Sequence, residues 1–120
     1  MGLTGAATVM PVRDLDASLR FYTDVLGFRQ EFRFDSYAGV ERDGCLIHLS
    51  LQGNPNTSAP GSGTIYIFCD DVDSIYRAAV EQGAAVDGEP KDYPYGMRDF
   101  VALDPDANKL SFGSPTNAGD

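Results

Sequence analysis

A chain of 120 residues with 42% apolar and 22% charged residues has the composition of a globular protein with one hydrophobic core. Its net charge of −9 argues against binding to nucleic acid or to an anionic membrane, because both need basic surfaces. The sequence has no apolar run of membrane-spanning length and no secretory signal pattern. We therefore expect a cytoplasmic protein whose two cysteines, Cys45 and Cys69, are reduced thiols.

The first half of the chain predicts a strand, a helix and three further strands. The strand ATVMPV (7–12) precedes a helix that Asp14 or Asp16 can cap and that Gly27 ends. The apolar face of this helix consists of Leu15, Leu19, Tyr22 and Leu26. The strands FRQEFRF (28–34), YAGVERD (37–43) and CLIHLSL (45–51) follow, and the turn Asp43-Gly44 joins the last two as a hairpin.

The second half repeats this order. The strand TIYIF (64–68) leads into the helix 71–83, and the strands AAVDGEPKDY, MRDFVALD and NKLSFG follow. Between the halves, residues 52–62 are rich in Gly, Pro, Asn and Ser, which predicts a flexible linker. We predict an α+β fold in which two βαβββ repeats, 6–51 and 63–114, form curved mixed sheets within one domain over 1–120.

The only histidine of the chain, His48, lies on a strand where it shares a face with Leu46 and Ser50. Four roles are open for it: a metal ligand, a catalytic base, a group that lines a binding cleft, or a half-buried histidine that bonds to a nearby hydroxyl such as Ser50.

Aromatic residues recur on alternating strand positions. Tyr66 and Phe68 share one face of their strand, Phe32 alternates with Arg33, and Tyr93 and Tyr95 flank a proline before the strand MRDF. Such rings can line a groove for a flat heteroaromatic ligand, since offset stacking adds to apolar burial. The alternative for each ring is packing in the core.

The segments VRDLDASLRFYTDVLGF (12–28) and RDFVALDPDANKLSFG (98–113), together with the repeat, resemble the glyoxalase/bleomycin-resistance/extradiol-dioxygenase superfamily, the vicinal oxygen chelate fold. The resemblance covers roughly residues 6–114, and FDSYAGVERDGCLIHLS and PYGMRDFVALDPDANKLSF look most like its bleomycin-resistance members. It implies a cytoplasmic homodimer that sequesters bleomycin-type antibiotics without chemistry on them, with clefts formed at or near the subunit interface.

The resemblance also implies where metal ligands would lie. Metal enzymes of this fold use positions that match Ala7, His48, Thr64 and Ser111 here, and only His48 is a usual ligand type. We therefore expect no metal cofactor and no catalysis. The alternatives are a metal-dependent glyoxalase-like lyase or dioxygenase that recruits Glu41 or Glu89, and a binding protein for another small molecule.

The resemblance and the strand faces together predict a ligand site without a catalytic residue. The ligand is expected to be a partly planar cation. The predicted site residues are Glu31, Phe32, Asp35, Tyr37, His48, Ser50, Tyr66, Phe68, Tyr95, Met97 and Asp99. One departure concerns the turn after Asp104, where Ala107 replaces the usual glycine, so that either Ala107 or Asn108 is expected to be left-handed.

Overall fold

The computed structural model describes residues 1–116, which form two four-stranded sheets with one helix each. The first half contains β1 (Thr8–Val12), α1 (Leu15–Arg20), β2 (Arg29–Arg33), β3 (Tyr37–Arg42) and β4 (Cys45–Leu51). The second half contains β5 (Thr64–Phe68), α2 (Val72–Glu81), β6 (Ala85–Asp92), β7 (Met97–Leu103) and β8 (Lys109–Pro115). The predicted α+β fold with two βαβββ repeats is confirmed.

Both sheets have the same topology. The strand order is β1-β4-β3-β2 in the first sheet and β5-β8-β7-β6 in the second. In each sheet the first strand pairs in parallel with the last, and the other pairs are antiparallel. A parallel pair needs a long crossover connection, which the helix and the two middle strands provide in each half.

Each helix begins directly after an aspartate that caps it, and the first helix continues further than a regular α-helix. The side chain of Asp14 accepts a hydrogen bond from the backbone N–H of Ala17, and Asp71 accepts one from that of Ser74. We predicted one α-helix up to Gly27, but α1 continues as a π-helical turn over Phe21–Val25. At this turn the Thr23 hydroxyl donates to the Leu19 carbonyl, a bond that competes with the regular helix ladder.

One apolar core lies on the helix-facing sides of both sheets. In the first half it contains the alternate strand residues Met10, Val12, Ala38, Val40, Ile47 and Leu49, under Leu15 and Leu19 of α1. In the second half Ala102, Leu110 and Phe112 lie under Val72 and Ala79 of α2. Because strand side chains alternate, the neighbouring residues Val9, Gly39 and His48 lie on the opposite face, away from the helices.

The turn Asp104–Asn108, whose first and last residues are buried, joins the two halves. The Asp104 carboxylate accepts hydrogen bonds from the Tyr22 hydroxyl at 2.9 Å and from the Asn108 side-chain amide at 2.9 Å. That amide also donates to the backbone carbonyl of Pro11. Ala107 adopts φ +68° and is therefore the left-handed residue of the turn.

The linker 52–62 is held at both ends, in contrast to the flexible connector that its composition predicts. At its start, Asn54 donates to the backbone carbonyl of Ser36 at 2.7 Å. At its end, the Asn108 side-chain oxygen accepts from the N–H groups of Gly61 and Gly63 at 3.0 and 2.8 Å. Within residues 1–116, no helix is long and apolar enough to cross a membrane.

Candidate functional site

The first sheet carries an aromatic surface on the side away from its helix. We call Phe32, Phe34, Tyr37 and His48 the N-terminal aromatic face. The strand register aligns Val9, His48, Gly39 and Phe32 in one row across the sheet. The Phe32 ring lies against Gly39, where any Cβ would overlap it. A glycine at this position therefore lets the ring lie flat on the sheet.

His48 is oriented by aromatic neighbours. Its Nδ1 lies 2.9 Å from the Tyr37 hydroxyl, and its ring is edge-on to Phe32 and Tyr37 with both centroids 5.3 Å away. Phe32 and Tyr37 are nearly parallel, with centroids 6.2 Å apart. The hydrogen bond to Tyr37 uses Nδ1, so Nε2 is the nitrogen that remains for another partner.

The Ser50 hydroxyl is not the hydrogen-bond partner of His48 that the shared strand face suggested. Its hydroxyl lies 2.6 Å from that of Thr57 and accepts from the Asn54 side-chain amide at 3.2 Å. The residue is only 2% exposed. Ser50 thus anchors the linker, and the hydroxyl partner of His48 is Tyr37.

The acidic residues predicted near this face lie at its edge. Glu31 and Asp35 are exposed, and Glu31 lies 4.0 Å from the Arg29 guanidinium. Phe34 is 67% exposed and packs 5.6 Å from Phe32, although our predicted site omitted it. Its spacing of two residues from Phe32, just past the end of β2, is the signal that could have included it.

The second sheet carries a matching surface. We call Tyr66, Phe68, Tyr93, Tyr95 and Asp99 the C-terminal aromatic face. The Tyr66 ring lies against Gly113, where a Cβ would overlap it, and it packs 5.2 Å from Phe68. Tyr93, which our predicted site also omitted, stacks on Tyr95 with centroids 5.4 Å apart and planes 5° from parallel.

Asp99 organises the polar part of this face. One of its carboxylate oxygens, Oδ2, accepts hydrogen bonds from the hydroxyls of Tyr66 at 2.9 Å and Tyr95 at 2.6 Å. Asp99 itself is 8% exposed. The bond to Asp99 raises the pKa of Tyr95 to about 12, whereas burial first and Asp99 second raise the pKa of Tyr66. Both phenols therefore remain donors at neutral pH.

Met97 is half-buried at the start of β7, where its carbonyl accepts from the N–H of Tyr93. This backbone bond closes the loop that carries Tyr93 and Tyr95. Met97 therefore lies at the base of the aromatic loop.

The predicted site residues thus fall into two groups, one on each sheet. Within residues 1–116, no aromatic pair joins the two faces. Each face offers flat rings for stacking, and the C-terminal aromatic face adds a nearly buried carboxylate.

A transition metal does not fit these residues. The positions Ala7, Thr64 and Ser111 offer no strong donor to accompany His48, and three or four donors are needed. Across the described residues 1–116, no group of three or more His, Cys, Asp and Glu side chains is placed to hold a metal ion.

The chain is similar to known proteins over most of its length. The sequence model of the glyoxalase/bleomycin resistance protein/dioxygenase superfamily matches residues 6–112. A bleomycin resistance protein of Geobacillus stearothermophilus is 29% identical over 119 residues, which cover 86% of this chain and 90% of that protein.

Two solved structures share the fold over nearly their whole length. An antibiotic-binding protein from Streptomyces sp. CB03234 is 28% identical with a TM-score of 0.80, covering 97% of this chain and 99% of its own. The bleomycin-binding protein of Streptomyces verticillus, solved with copper(II)-bleomycin, is 25% identical with a TM-score of 0.79, covering 93% and 96%. The chain belongs to the glyoxalase/bleomycin resistance protein/dioxygenase superfamily.

Proposed function

We propose that this protein binds a partly planar, cationic antibiotic of the bleomycin class and sequesters it without altering it. The observation that carries the proposal is the pair of open aromatic faces, each with a ring that lies flat over a glycine. The similarity to a bleomycin resistance protein and to antibiotic-binding structures supports the same ligand class.

The aromatic rings would stack on the planar part of such a ligand, and the negative charge would attract its cationic part. Stacked rings contribute about 0.5–1.5 kcal/mol each beyond the area that they bury. Asp99 is held by two phenols, so its orientation is set before a cation arrives. The net charge of −9 favours fast encounter with a cation, because long-range attraction raises the association rate.

We further propose that two copies associate in the cytoplasm as a homodimer, with the clefts at their interface. A single chain leaves large rings open to water: Phe34 is 67%, Phe68 76% and Tyr95 63% exposed. Exposed aromatic patches of this kind mark binding surfaces. If an N-terminal aromatic face lies opposite a C-terminal aromatic face of the second copy, a ligand can stack between the two.

Calorimetric titration of metal-stripped protein with metal-free bleomycin, and separately with copper(II)-bleomycin, tests the proposal. We expect saturable micromolar binding near one drug per chain, and recovered drug of unchanged mass. Phe32→Ala and Tyr66→Ala should each weaken binding about tenfold through loss of a stacking ring. Val80→Ala, an exposed change on α2, is the control.

Two results would contradict this function. One is the lack of saturable binding to either form of the drug at micromolar concentration; binding of other planar cations would then indicate a different small-molecule ligand. The other is stoichiometric metal, found by elemental analysis and lost in His48→Ala, which would favour a lyase or dioxygenase. Sedimentation velocity separately tests the homodimer.

A further inference from the structure

A large cavity lies on the helix side of the molecule, where the two halves meet. Its volume is about 740 Å³, within the range of small-molecule sites. The first half contributes Phe28, Arg42 and Cys45 to its wall, and the second half contributes Ile67, Cys69, Ile75 and Phe112. The strand residues among them, Arg42, Cys45, Ile67 and Phe112, lie on the faces that pack against the helices, so the cavity is separate from most of the two aromatic surfaces.

The wall of this cavity is mainly apolar. Phe28 and Phe112 belong to the core, and Ile67, Ile75 and both cysteines pack against it. Phe68, which is 76% exposed, also lines the cavity. An apolar molecule in the cavity would cover part of this ring as well as the wall, which is favourable at about 25 cal/mol per Å².

The polar groups of the cavity disfavour an anion. The only cation of its wall, Arg42, donates from Nη1 to the Leu26 carbonyl at 2.8 Å, and its Nε lies 3.5 Å from a carboxylate oxygen of Asp43. Asp43 and Asp70 add two exposed carboxylates. Burial raises the pKa of the Cys45 thiol, which keeps it neutral. Because Arg42 and Asp43 pair with each other, an anionic ligand would meet the Asp70 carboxylate without a free cation to offset it.

We propose that this inter-repeat cavity, lined by Phe28, Arg42, Cys45, Ile67, Cys69, Ile75 and Phe112, is a second binding site that takes an uncharged, mainly apolar small molecule. Apart from Phe68, which lines the cavity and also belongs to the C-terminal aromatic face, the wall shares no residue with the two aromatic faces. Asp70, the carboxylate that Arg42 does not pair with, gives the site selectivity against anions of the same shape. The walls of the site come from both halves of the chain.

A pair of matched fluorescent probes tests the charge selectivity. N-phenyl-1-naphthylamine is uncharged, and 8-anilino-1-naphthalenesulfonate has the same ring system with one added sulfonate. We expect saturable fluorescence enhancement with the uncharged probe and at least tenfold weaker binding of the sulfonate. Equal affinity for the two probes, or no saturable binding of the uncharged one, would overturn the proposal.

Methyl NMR of the unmodified protein locates the probe. The chain has four isoleucines, of which Ile67 and Ile75 line the cavity and Ile47 lies in the core of the first sheet. With labelled isoleucine methyl groups, the uncharged probe should shift the signals of Ile67 and Ile75 and leave that of Ile47 unchanged. Unchanged Ile67 and Ile75 signals at saturation would show that the probe binds elsewhere.

Two substitutions on α2 form a matched pair. Ile75→Phe places a larger side chain in the cavity and should weaken the uncharged probe about tenfold, whereas Val80→Phe adds the same ring on the exposed surface and should not. If Ile75→Phe changes the sedimentation of the protein and leaves probe binding unaltered, the cavity wall is a protein interface and the proposal fails. The bleomycin titration tests Phe32 and Tyr66, which do not line the cavity. If bleomycin fails to bind, the results with the fluorescent probes can therefore still be interpreted.

Discussion

The two halves of the molecule have the same strand order and place an aromatic ring over a glycine on the same side of each sheet, yet they differ in their polar partner. In the first half Tyr37 bonds to the imidazole of His48. In the second half Tyr66 and Tyr95 both bond to the carboxylate of Asp99. The repeat thus provides two equivalent surfaces, and a few side chains give only the second one a nearly buried carboxylate.

The halves also differ in their hairpin turns. Asp43 and Gly44 make the first turn at φ +50° and +84°, and Glu41 accepts a hydrogen bond from the N–H of Gly44 at the surface. In the second turn, Asp104–Asn108, the two end residues are buried and their side chains bond to Tyr22 and Pro11 of the other half. One turn only reverses the chain, whereas the other also joins the repeats.

Asp104→Ala should have the largest effect, because four donors would lose their acceptor. They are the Tyr22 hydroxyl, the Asn108 amide and the N–H groups of Asp106 and Asn108. We expect a loss of about 3 kcal/mol in the free energy of unfolding, measured in urea. Glu41→Ala in the other turn should cost less than about 1 kcal/mol. Equal costs would remove the distinction between the two turns.

Asp99→Asn should weaken bleomycin binding about tenfold, because the loss of a charge-assisted bond is about 1.4 kcal/mol or more. His48→Gln on the N-terminal aromatic face should weaken it only about threefold, since that face is expected to act by stacking. Calorimetry at one ionic strength compares the two variants. A larger effect of His48→Gln would reverse the proposed roles of the faces.

Ala107→Gly should stabilise the protein by about 0.5–1 kcal/mol. Glycine relieves the strain at φ +68°, and its greater freedom in the unfolded chain offsets part of the gain. Ala78→Gly on the exposed side of α2 has the same chemical change and should destabilise by about 1 kcal/mol. Thermal or urea unfolding would reveal whether the changes in the free energy of unfolding have opposite signs in the two variants, as expected.

The smallest expected effect is the loss of stability at alkaline pH as Tyr95 ionises. The pKa of Tyr95 is raised to about 12, so this tyrosine stabilises the folded state below pH 10 and loses that contribution as the pH rises from 10 towards 12. Asp99→Asn should move its ionisation back towards 10, which phenolate absorbance can follow. An unchanged absorbance titration in Asp99→Asn would mean that Asp99 does not hold the phenol in its neutral form.

Several features could be predicted from local patterns. The helix starts follow from Asp14 and Asp71, and the β3–β4 hairpin follows from Asp43-Gly44. Other features depend on contacts between distant residues. The linker contains no pattern that predicts its bonds to Ser36 and Asn108, which lie far away in sequence. The alternation of Phe32 with Phe34 could have placed Phe34 in the site, but the pairing of Ser50 with Thr57 could not be foreseen.

The sequence by itself determined the repeat and the α+β fold, because strand alternation, helix caps and turn residues act over a few positions. The superfamily followed from the resemblance of the segments 12–28 and 98–113 to that family. The tertiary structure decided which face of each sheet stays open, which hydroxyl His48 contacts, and that Asp99 accepts two phenols. It also decided that the two halves together form an open cavity on their helix side. These properties depend on how separate elements pack, and sequence spacing does not specify distances between elements.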